Sequence, residues 1–259
     1  MCLILFAIDQ HRDYPLVLAA NRDEFYDRPT TPMHWWPENG LLAGRDDRSG
    51  GTWLAVSRGG TISAVTNVRE GSGEPGRLTR GKLPLMIQQR PCPEVQQHLA
   101  DNGNLYGGFN LVLASVRDGW YYSNRDAHPG RNLHRGTYGV SNHLLQSPWP
   151  KLVRLRKSLK AALAESSRDA PERLHQQLLE QLQDTSPAAD HLLPDTGVGL
   201  EQERFLSSPF IRSEFYGTRA STVVTVARSG EVRVTEQTWG RGGTPGDRQH
   251  FRWHRPQPY

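Results

Sequence analysis

A cysteine directly after the initiator methionine is the residue of this sequence best placed to do chemistry. The initiator methionine is usually removed when the second residue is small, and removal would leave Cys2 with both a thiol and a free α-amine. The thiolate is a strong nucleophile, and an α-amine with a pKa near ~8 can accept a proton at neutral pH. Position alone favours a simpler interpretation, in which Cys2 is a small apolar residue that opens a buried strand.

Four polar residues in a row, the tetrad Asn21-Arg22-Asp23-Glu24, directly follow the apolar segment 16–20. Polar groups at the end of a strand commonly line a site. Arg22 beside a carboxylate could hold a thiolate and an ammonium group in position, or it could bind a substrate carboxylate. The alternative is a hairpin end with local ion pairs, which contribute little at a surface.

Further polar candidates stand at the ends of other apolar segments. Asn67 and Asn142 each follow such a segment, and a side-chain amide is a fixed neutral donor suited to an oxyanion hole. Turn formation is the alternative for both asparagines. Arg219 comes just before the apolar segment 221–227 and could orient a carboxylate or the surroundings of the α-amine, or it could be an exposed arginine.

The elements that must position these residues are mostly hairpins and paired helices. Short apolar runs between turn signals predict strands at 2–8, 14–20, 53–56, 61–66, 109–115, 120–123, 137–141, 221–227 and 231–236. Helical periodicity predicts helices at 83–89, 94–99, from 147–150 onward and at 172–183. Since hairpins dominate, we expect largely antiparallel sheets. Two sheets face to face with helices outside would use every element, which predicts an α+β fold, a four-layer α/β/β/α sandwich.

Composition indicates one globular unit. The chain has 36% hydrophobic and 22% charged residues, and no shift in composition marks a boundary. We expect a single domain over residues 1–259, in which the Gly-, Arg- and Pro-rich segment 240–259 is a loosely ordered tail. No run approaches the ~18 apolar residues of a membrane span. Two cysteines, Cys2 and Cys92, give no disulfide framework and favour a reducing cytoplasm.

Several function classes lack their signatures in this sequence. The net charge of +4 and the clustered arginines and lysines could attract phosphates, but we find no nucleic-acid-binding motif. We also find no His-Glu-x-x-His, Cys-x-x-Cys or phosphate-binding loop, so the sequence predicts no metal site. The oligomeric state stays open.

A series of short motifs in fixed order gives the chain a family resemblance. The motifs are Met1-Cys2-Leu3-Ile4, Asn21-Arg22-Asp23-Glu24-Phe25, Ala43-Gly44-Arg45-Asp46, Gly51-Thr52-Trp53-Leu54, Thr66-Asn67-Val68-Arg69, Gly108-Phe109-Asn110-Leu111, Ser141-Asn142, Pro148-Trp149-Pro150-Lys151 and Tyr216-Gly217-Thr218-Arg219. From residue 1 to about 236, the chain resembles the NRDE family, which includes the transport and Golgi organization protein 2 group and is named for the tetrad.

The NRDE family is itself similar to cysteine-type N-terminal-nucleophile (Ntn) hydrolases, such as penicillin V acylase and bile salt hydrolase. This resemblance implies an Ntn-hydrolase-like αββα sandwich in which Cys2 attacks an amide carbonyl and its own α-amine moves the proton. It implies Asn67 as an oxyanion donor and Asn142 as a partner of the oxyanion or the amine. It also implies that Arg219 corresponds to the site arginine that comes late in the sequence of these enzymes.

The tetrad departs from the acylase pattern. The acylases place two residues between their catalytic arginine and aspartate, whereas Arg22 and Asp23 are adjacent. If the strand continues through them, their side chains point to opposite faces, and either Arg22 alone or Asn21 and Asp23 together face the nucleophile. We expect Asn21, Glu24 and Trp53 to contact the substrate.

The predicted function is hydrolysis of a non-peptide C–N amide bond in a small-molecule amide or acyl substrate, without a cofactor. The resemblance also supports an alternative, a non-catalytic protein that binds and carries heme or acyl-CoA and lipids. Heme would need an axial ligand beside an apolar cleft, and Cys2, His34 and His143 are the candidates. The basic clusters would suit the phosphates of coenzyme A.

Overall fold

The computed structural model describes residues 2–71, 73, 76–167 and 170–256, and of Cys2 only the backbone. Within this part of the chain the strands are β1 (Cys2–Ile8), β2 (Leu16–Phe25), β3 (Thr30–Trp35), β4 (Leu42–Asp46), β5 (Leu54–Val56), β6 (Ile62–Asn67), β7 (Phe109–Ala114), β8 (Gly119–Ser123), β9 (Arg131–Leu133), β10 (Gly136–Val140), β11 (Tyr216–Val226), β12 (Glu231–Trp239) and β13 (Pro245–His254). The α-helices are α1 (Leu83–Gln89), α2 (Cys92–Asn102), α3 (Pro150–Glu165), α4 (Pro171–Leu182) and α5 (Leu200–Phe205).

The strands form two sheets of antiparallel neighbours. The first sheet has the order β10-β1-β2-β11-β12-β13, and the second has the order β3-β4-β5-β6-β7-β8-β9. In the first sheet β2 lies between β1 and β11, so that Arg22 has Cys2 opposite on one side and Ala220 opposite on the other. A bulge interrupts the β2–β11 register between Thr218 and Ala220.

Side-chain alternation along the strands divides the core into layers. The face of β2 that carries Leu16, Leu18 and Ala20 packs against the second sheet, whereas the face that carries Val17 and Ala19 packs against α3 and α4. On the outer face of the second sheet, residues of β7 and β8 pack against α1 and α2. The layers are therefore helices, sheet, sheet and helices, and the predicted α+β four-layer sandwich is confirmed.

The end of β2 differs from the sequence prediction. We expected the strand to stop at residue 20, but it continues to Phe25, and the tetrad lies inside it. The strands β3 and β4, which the sequence analysis missed, lie at one edge of the second sheet. None of the helices in the part of the chain that the structure describes is both long enough and apolar enough to span a membrane.

The expectation of a loosely ordered tail at 240–259 is wrong for the described residues of that segment. Strand β13 pairs with β12 along most of its length. Phe251 and Trp253 alternate with polar residues and pack against the core between the sheets. The high content of glycine and arginine concealed this alternation in the sequence. Residues 257–259 lie outside the part of the chain that the structure describes.

Candidate functional site

Arg22 provides a fixed positive charge between the two sheets. It lies on the face of β2 that carries Leu18 and Ala20, and only 4% of its surface is exposed. Its guanidinium lies 4.3 Å from the centre of the Trp53 ring, a favourable cation–π distance. Its Nη2 donates to Asp46 Oδ2 at 3.3 Å, and its Nη1 donates to Thr30 Oγ1 at 3.3 Å. The sequence prediction did not include this pairing with Asp46.

Asp46 holds a second arginine beside Arg22. Arg28 donates to it twice, from Nε at 2.6 Å and from Nη2 at 3.2 Å. Burial opposes the charge on Asp46, but hydrogen bonds from Arg28 and from the Ser49 amide, together with the charge of Arg22, outweigh burial and hold the pKa of Asp46 below its usual value. Asp46 is therefore a carboxylate that orients two cations, and it is unsuited to donate a proton.

Arg22 and Trp53 together line two adjoining cavities. The first, of about 140 Å³, is lined by Arg22, Asp23, Glu24, Arg28, Asp46, Ser49, Thr52, Trp53, Val65, Asn67, Thr79, Arg80 and Gly81. The second, of about 330 Å³, is lined by Arg22, Thr30, Pro32, Trp53, Arg219, Ala220, Glu236, Thr238, Trp239, Gly240, Gly246 and Asp247. We call them the Asn67 cavity and the Arg219 cavity. The Asn67 cavity brings together five residues that the sequence analysis selected, from distant parts of the chain.

Asn21 and Asp23 lie on the other face of β2. Asn21 donates from Nδ2 to the carbonyls of Leu182 at 2.8 Å and Pro209 at 2.9 Å. Since its amide is used to hold the segment after α4, Asn21 lines neither cavity, and its predicted contact with substrate is not supported by this geometry. Asp23 is buried and accepts a hydrogen bond from Thr218 Oγ1 at 2.7 Å. Burial raises the pKa of Asp23 above its usual value.

Two buried charges that the sequence analysis did not select lie near these groups. Arg69 donates from Nη1 to Glu203, and both side chains are 3% exposed. The guanidinium of Arg69 lies 4.8 Å from the centre of the Trp149 ring, and burial lowers the pKa of Arg69. The family motifs 43–46 and 66–69 contain Asp46 and Arg69, so the signal for both was present in the sequence.

The two asparagines have different roles in this geometry. Asn142 is buried, and its Nδ2 donates to the backbone carbonyl of Asn67 at 3.0 Å. Its own carbonyl accepts a hydrogen bond from the Arg69 amide at 2.7 Å. Asn142 therefore positions the backbone at Asn67 and lines neither cavity, whereas Asn67 is half-buried and lines the Asn67 cavity. Of the two, Asn67 is the one that can donate to a bound molecule.

Arg219 and Glu24 lie at the edge of this region. Arg219 donates from Nη1 to the carbonyl of Phe25 at 3.1 Å and to the carbonyl of Arg28. It thereby holds the connection between β2 and β3, while it also lines the Arg219 cavity. Burial and the nearby charge of Arg22 lower the pKa of Arg219. Glu24 lines the Asn67 cavity and lies 3.8 Å from Arg28.

The other candidates from the sequence analysis lie elsewhere or are not described. The side chain of Cys2 lies outside what the structure describes, and its backbone pairs with Arg22. His34 contacts the carbonyl of Pro32, and His143 is exposed and contacts Ser147 Oγ. Neither histidine lines the Asn67 cavity or the Arg219 cavity. Heme binding therefore stays a prediction from resemblance.

Comparison with known proteins gives one family and several relatives. The model of the family described as Transport and Golgi organisation 2 matches residues 1–241. The chain is 33% identical over 260 residues to the Transport and Golgi organization 2 homolog of Mus musculus, with 92% of this chain and 93% of the relative covered. It is 36% identical over 260 residues to the Transport and Golgi organization protein 2 homolog of Bos taurus, with the same coverage of 92% and 93%.

Among solved structures, the chain is similar to a conjugated bile acid hydrolase from Clostridium perfringens. The sequence identity is 8% and the TM-score is 0.49, with 98% of this chain and 92% of the other chain covered.

Proposed function

The chain belongs to the transport and Golgi organisation 2 family, as its ordered motifs predict, and we propose that it is a hydrolase of non-peptide C–N amide bonds with Cys2 as its N-terminal nucleophile. The relatives are named for transport and Golgi organization. The proposal therefore depends on the residues of this chain.

The observation that carries the proposal is the strand register at the end of β2. Cys2 lies directly opposite Arg22, and Arg22 lines both cavities. Residues directly opposite in an antiparallel pair are close neighbours. The first position of the mature chain would therefore lie beside a fixed guanidinium, next to an opening large enough for a small acyl group.

The proposed reaction has two steps. Removal of Met1 frees the α-amine of Cys2, which takes the thiol proton. The sulfur then bonds to the amide carbon, the C–N bond breaks, and the leaving nitrogen takes the proton from the ammonium group. In the second step water gives one proton to the α-amine and adds to the thioester carbon. The C–S bond breaks to release a carboxylic acid, and the departing sulfur takes the proton back from the ammonium group, which restores the thiol and the free amine.

The charges around Arg22 suit this chemistry. A nearby cation stabilises a thiolate and lowers its pKa. Asp46 and Trp53 fix the position of the Arg22 guanidinium, so that little reorganisation accompanies the reaction. Arg22 and Arg28 both pair with Asp46, and Arg28 also lies 3.8 Å from Glu24, so the proposed stabilisation of the thiolate depends on the guanidinium of Arg22 opposite Cys2 and not on an excess of positive charge in the cavity wall.

Asn67 is the proposed oxyanion donor, and Asn142 is a positioning residue. Asn67 lines the cavity, and its backbone carbonyl is held by the Asn142 side chain at 3.0 Å. Removal of one oxyanion donor typically costs ~3 kcal/mol of transition-state stabilisation. Asp23 is buried near the start of β1, and we assign it an electrostatic role toward the ammonium form of the α-amine.

The experiment combines intact-mass measurement with a matched pair of cysteine variants. The mass of the purified protein shows whether the mature chain begins at Cys2. The protein is then incubated with a panel of N-acyl amides, and both the released amine and any acyl adduct on the protein are measured. Cys92→Ala is the control, because Cys92 begins α2 and burial raises the pKa of its thiol.

The proposal predicts hydrolysis and an acyl-thioester adduct in the parent protein and in Cys92→Ala, with at least a hundredfold lower hydrolysis and no adduct in Cys2→Ala. A mature protein that retains Met1 would rule out the free-amine mechanism. Equal activity of Cys2→Ala and the parent would rule out Cys2 as the nucleophile.

A further inference from the structure

A cavity of about 550 Å³ lies between the turns at the end of the sandwich remote from Arg22. It is lined by Gly59, Val116, Arg117, Arg228, Ser229, Gly230, His254, Arg255 and Pro256. These residues come from the turns β5–β6, β7–β8 and β11–β12 and from the end of β13. The register of β1 and β2 runs from the Cys2–Arg22 pair to the Ile8–Leu16 pair, so the two ends are separated by roughly 20 Å at about 3.3 Å per residue.

The wall of this cavity is strongly basic. It includes Arg117, Arg228 and Arg255, together with His254, and among its described lining residues none is an aspartate or a glutamate. Arg228 forms an ion pair with Asp9 at 2.5 Å. In the described part of the chain, neither Arg117 nor Arg255 has an ion pair with a carboxylate. An excess of positive charge therefore faces the opening.

Arg255 is held in place but keeps a buried donor unused. Its backbone amide donates to the Gly230 carbonyl at 2.8 Å. Its side chain crosses the β5–β6 turn, where its Cδ lies 3.1 Å from the position of a Cβ on Gly60. Within the described residues its Nε is buried and has no hydrogen-bond partner. A buried donor without an acceptor is costly, which favours a movement of the Arg255 side chain toward an acceptor in the cavity that it lines.

The groove beside α4 shows that basic residues alone do not make such a site. Arg233 and Arg252 line that groove, but both pair with Glu231, and Arg233 also pairs with Glu172. Carboxylates compensate these two charges, and the third arginine of the groove, Arg248, donates to the side-chain oxygens of Gln237 and Gln176. The cavity between the turns lacks this compensation at two of its arginines, so it is the stronger candidate for an anion.

We propose that the cavity between the turns binds a small molecule through its phosphate groups. The guanidinium fork of arginine matches phosphate oxygens in a bidentate way. The cavity volume of about 550 Å³ is larger than one phosphate ion occupies. It falls in the range of about 300–1,000 Å³ that is typical of small-molecule sites. His254 and Arg255 lie beyond residue 241, where the family match ends, so the site does not depend on the proposed hydrolase.

Calorimetric titration with inorganic pyrophosphate and with ADP, at constant ionic strength, tests the proposal. Arg117→Gln removes a charge from an exposed turn and leaves the core untouched, and Arg255→Gln removes the buried donor. Arg248→Gln is the matched control, because Arg248 is an exposed arginine of β13 that lines the groove beside α4. Circular dichroism verifies that each variant folds.

We expect saturable binding that weakens about tenfold in Arg117→Gln and in Arg255→Gln, since each loses a charge-assisted hydrogen bond, and that is unchanged in Arg248→Gln and in Cys2→Ala. If ADP binds more tightly than pyrophosphate, the ligand of the cavity is an organic molecule that carries phosphate groups. If the two bind equally, the cavity recognises the phosphate anion alone. Absence of saturable binding of both ligands, or equal weakening in Arg248→Gln, overturns the proposal.

Discussion

The two faces of the first sheet hold their buried polar groups in different ways. Toward the second sheet, Arg22 is paired with the ionised Asp46 and borders two cavities. Toward α3 and α4, Asn21 bonds to backbone carbonyls, and His175 lies between the hydroxyls of Thr225 and Thr235, each at 2.9 Å. Arg22 is a charge next to open space, whereas Asn21 and His175 are neutral groups inside packed surroundings.

This difference separates two reasons for burying a polar residue. A fixed ion pair beside a cavity can act on a bound molecule, because its field reaches a region that protein atoms do not fill. A neutral group with all of its hydrogen bonds made holds two elements together and is costly to remove. The contrast predicts that variants of the helix-facing residues lose stability, whereas variants around Arg22 lose activity.

The largest effect on stability is expected for Asn21→Leu. The change keeps a similar volume but leaves the carbonyls of Leu182 and Pro209 without their donor, and it removes the acceptor of Ser221 Oγ. We expect the free energy of unfolding to fall by about 4 kcal/mol, since each buried group left unpaired costs roughly 1–3 kcal/mol. Urea denaturation measures the change.

Asn132→Leu is the control for that experiment, because Asn132 is an exposed residue of β9. A surface substitution of this kind changes stability by no more than about 0.5 kcal/mol. If Asn21→Leu behaved like Asn132→Leu, the helix-facing side of β2 would not be the stabilising side, and the contrast between the two faces would be lost.

His175 gives a pH-dependent form of the same contrast. Burial, together with the nearby charges of Arg233 and His250, lowers the pKa of His175 from 6.5 to about 4. Between these values the unfolded chain binds a proton that the folded protein excludes, so the free energy of unfolding decreases as the pH falls. The expected loss approaches about 3 kcal/mol by pH 4.

His175→Gln should reduce this loss, since Gln cannot be protonated and can still bond to Thr225 and Thr235. The measurement is urea denaturation between pH 7 and pH 4, with the exposed His128→Gln as the control. The same steepness of the pH dependence in His175→Gln and in the parent protein would show that His175 does not titrate as its surroundings predict.

The elements that were predicted correctly have a clear apolar periodicity in the sequence. The elements that were missed depend on pairing between residues far apart in the chain. The strand Cys2–Ile8 and the helix Leu83–Gln89 have the bounds predicted from their apolar patterns. The strand β2 continues beyond residue 20 because its polar residues find partners far away in the chain, such as Pro209 for Asn21. A local pattern of four polar residues indicates the end of a strand and contains no information about such partners.

The same distinction between local patterns and long-range contacts explains which residues of the candidate site were selected from the sequence and which were missed. The tetrad, Asn67 and Trp53 were found because each follows an apolar segment or stands in a recognisable motif. Asp46 and Arg28 were not selected, although both line the Asn67 cavity, because their role depends on contacts between β2 and β4. Asn142 was selected as a donor to the site, but its amide is used on the backbone of Asn67.

The smallest effect, and the most direct comparison of the two faces, is the opposite pH dependence of two aspartates. The pKa of Asp46 is lowered by its hydrogen bonds and by Arg22 and Arg28, which together outweigh burial, whereas the pKa of Asp23 is raised by burial. The stability that Asp46 contributes is therefore present above its unfolded pKa and is lost as the pH falls. Asp23 acts in the opposite direction, because its ionisation above the unfolded pKa favours the unfolded chain.

Two isosteric variants separate these contributions. Relative to the parent protein, Asp46→Asn should become less stable as the pH rises from 3 to 7, and Asp23→Asn should become more stable over the same interval. For Asp46→Asn we expect a difference of about 1 kcal/mol, the scale of a partly exposed ion pair, and for Asp23→Asn a difference of the opposite sign, both measured by urea denaturation at each pH. Two slopes of the same sign would mean that the pocket around Arg22 and Asp46 and the helix-facing side of β2 at Asp23 do not differ in their electrostatics, and Arg22 would then not be distinguished as the charge that acts on a bound molecule.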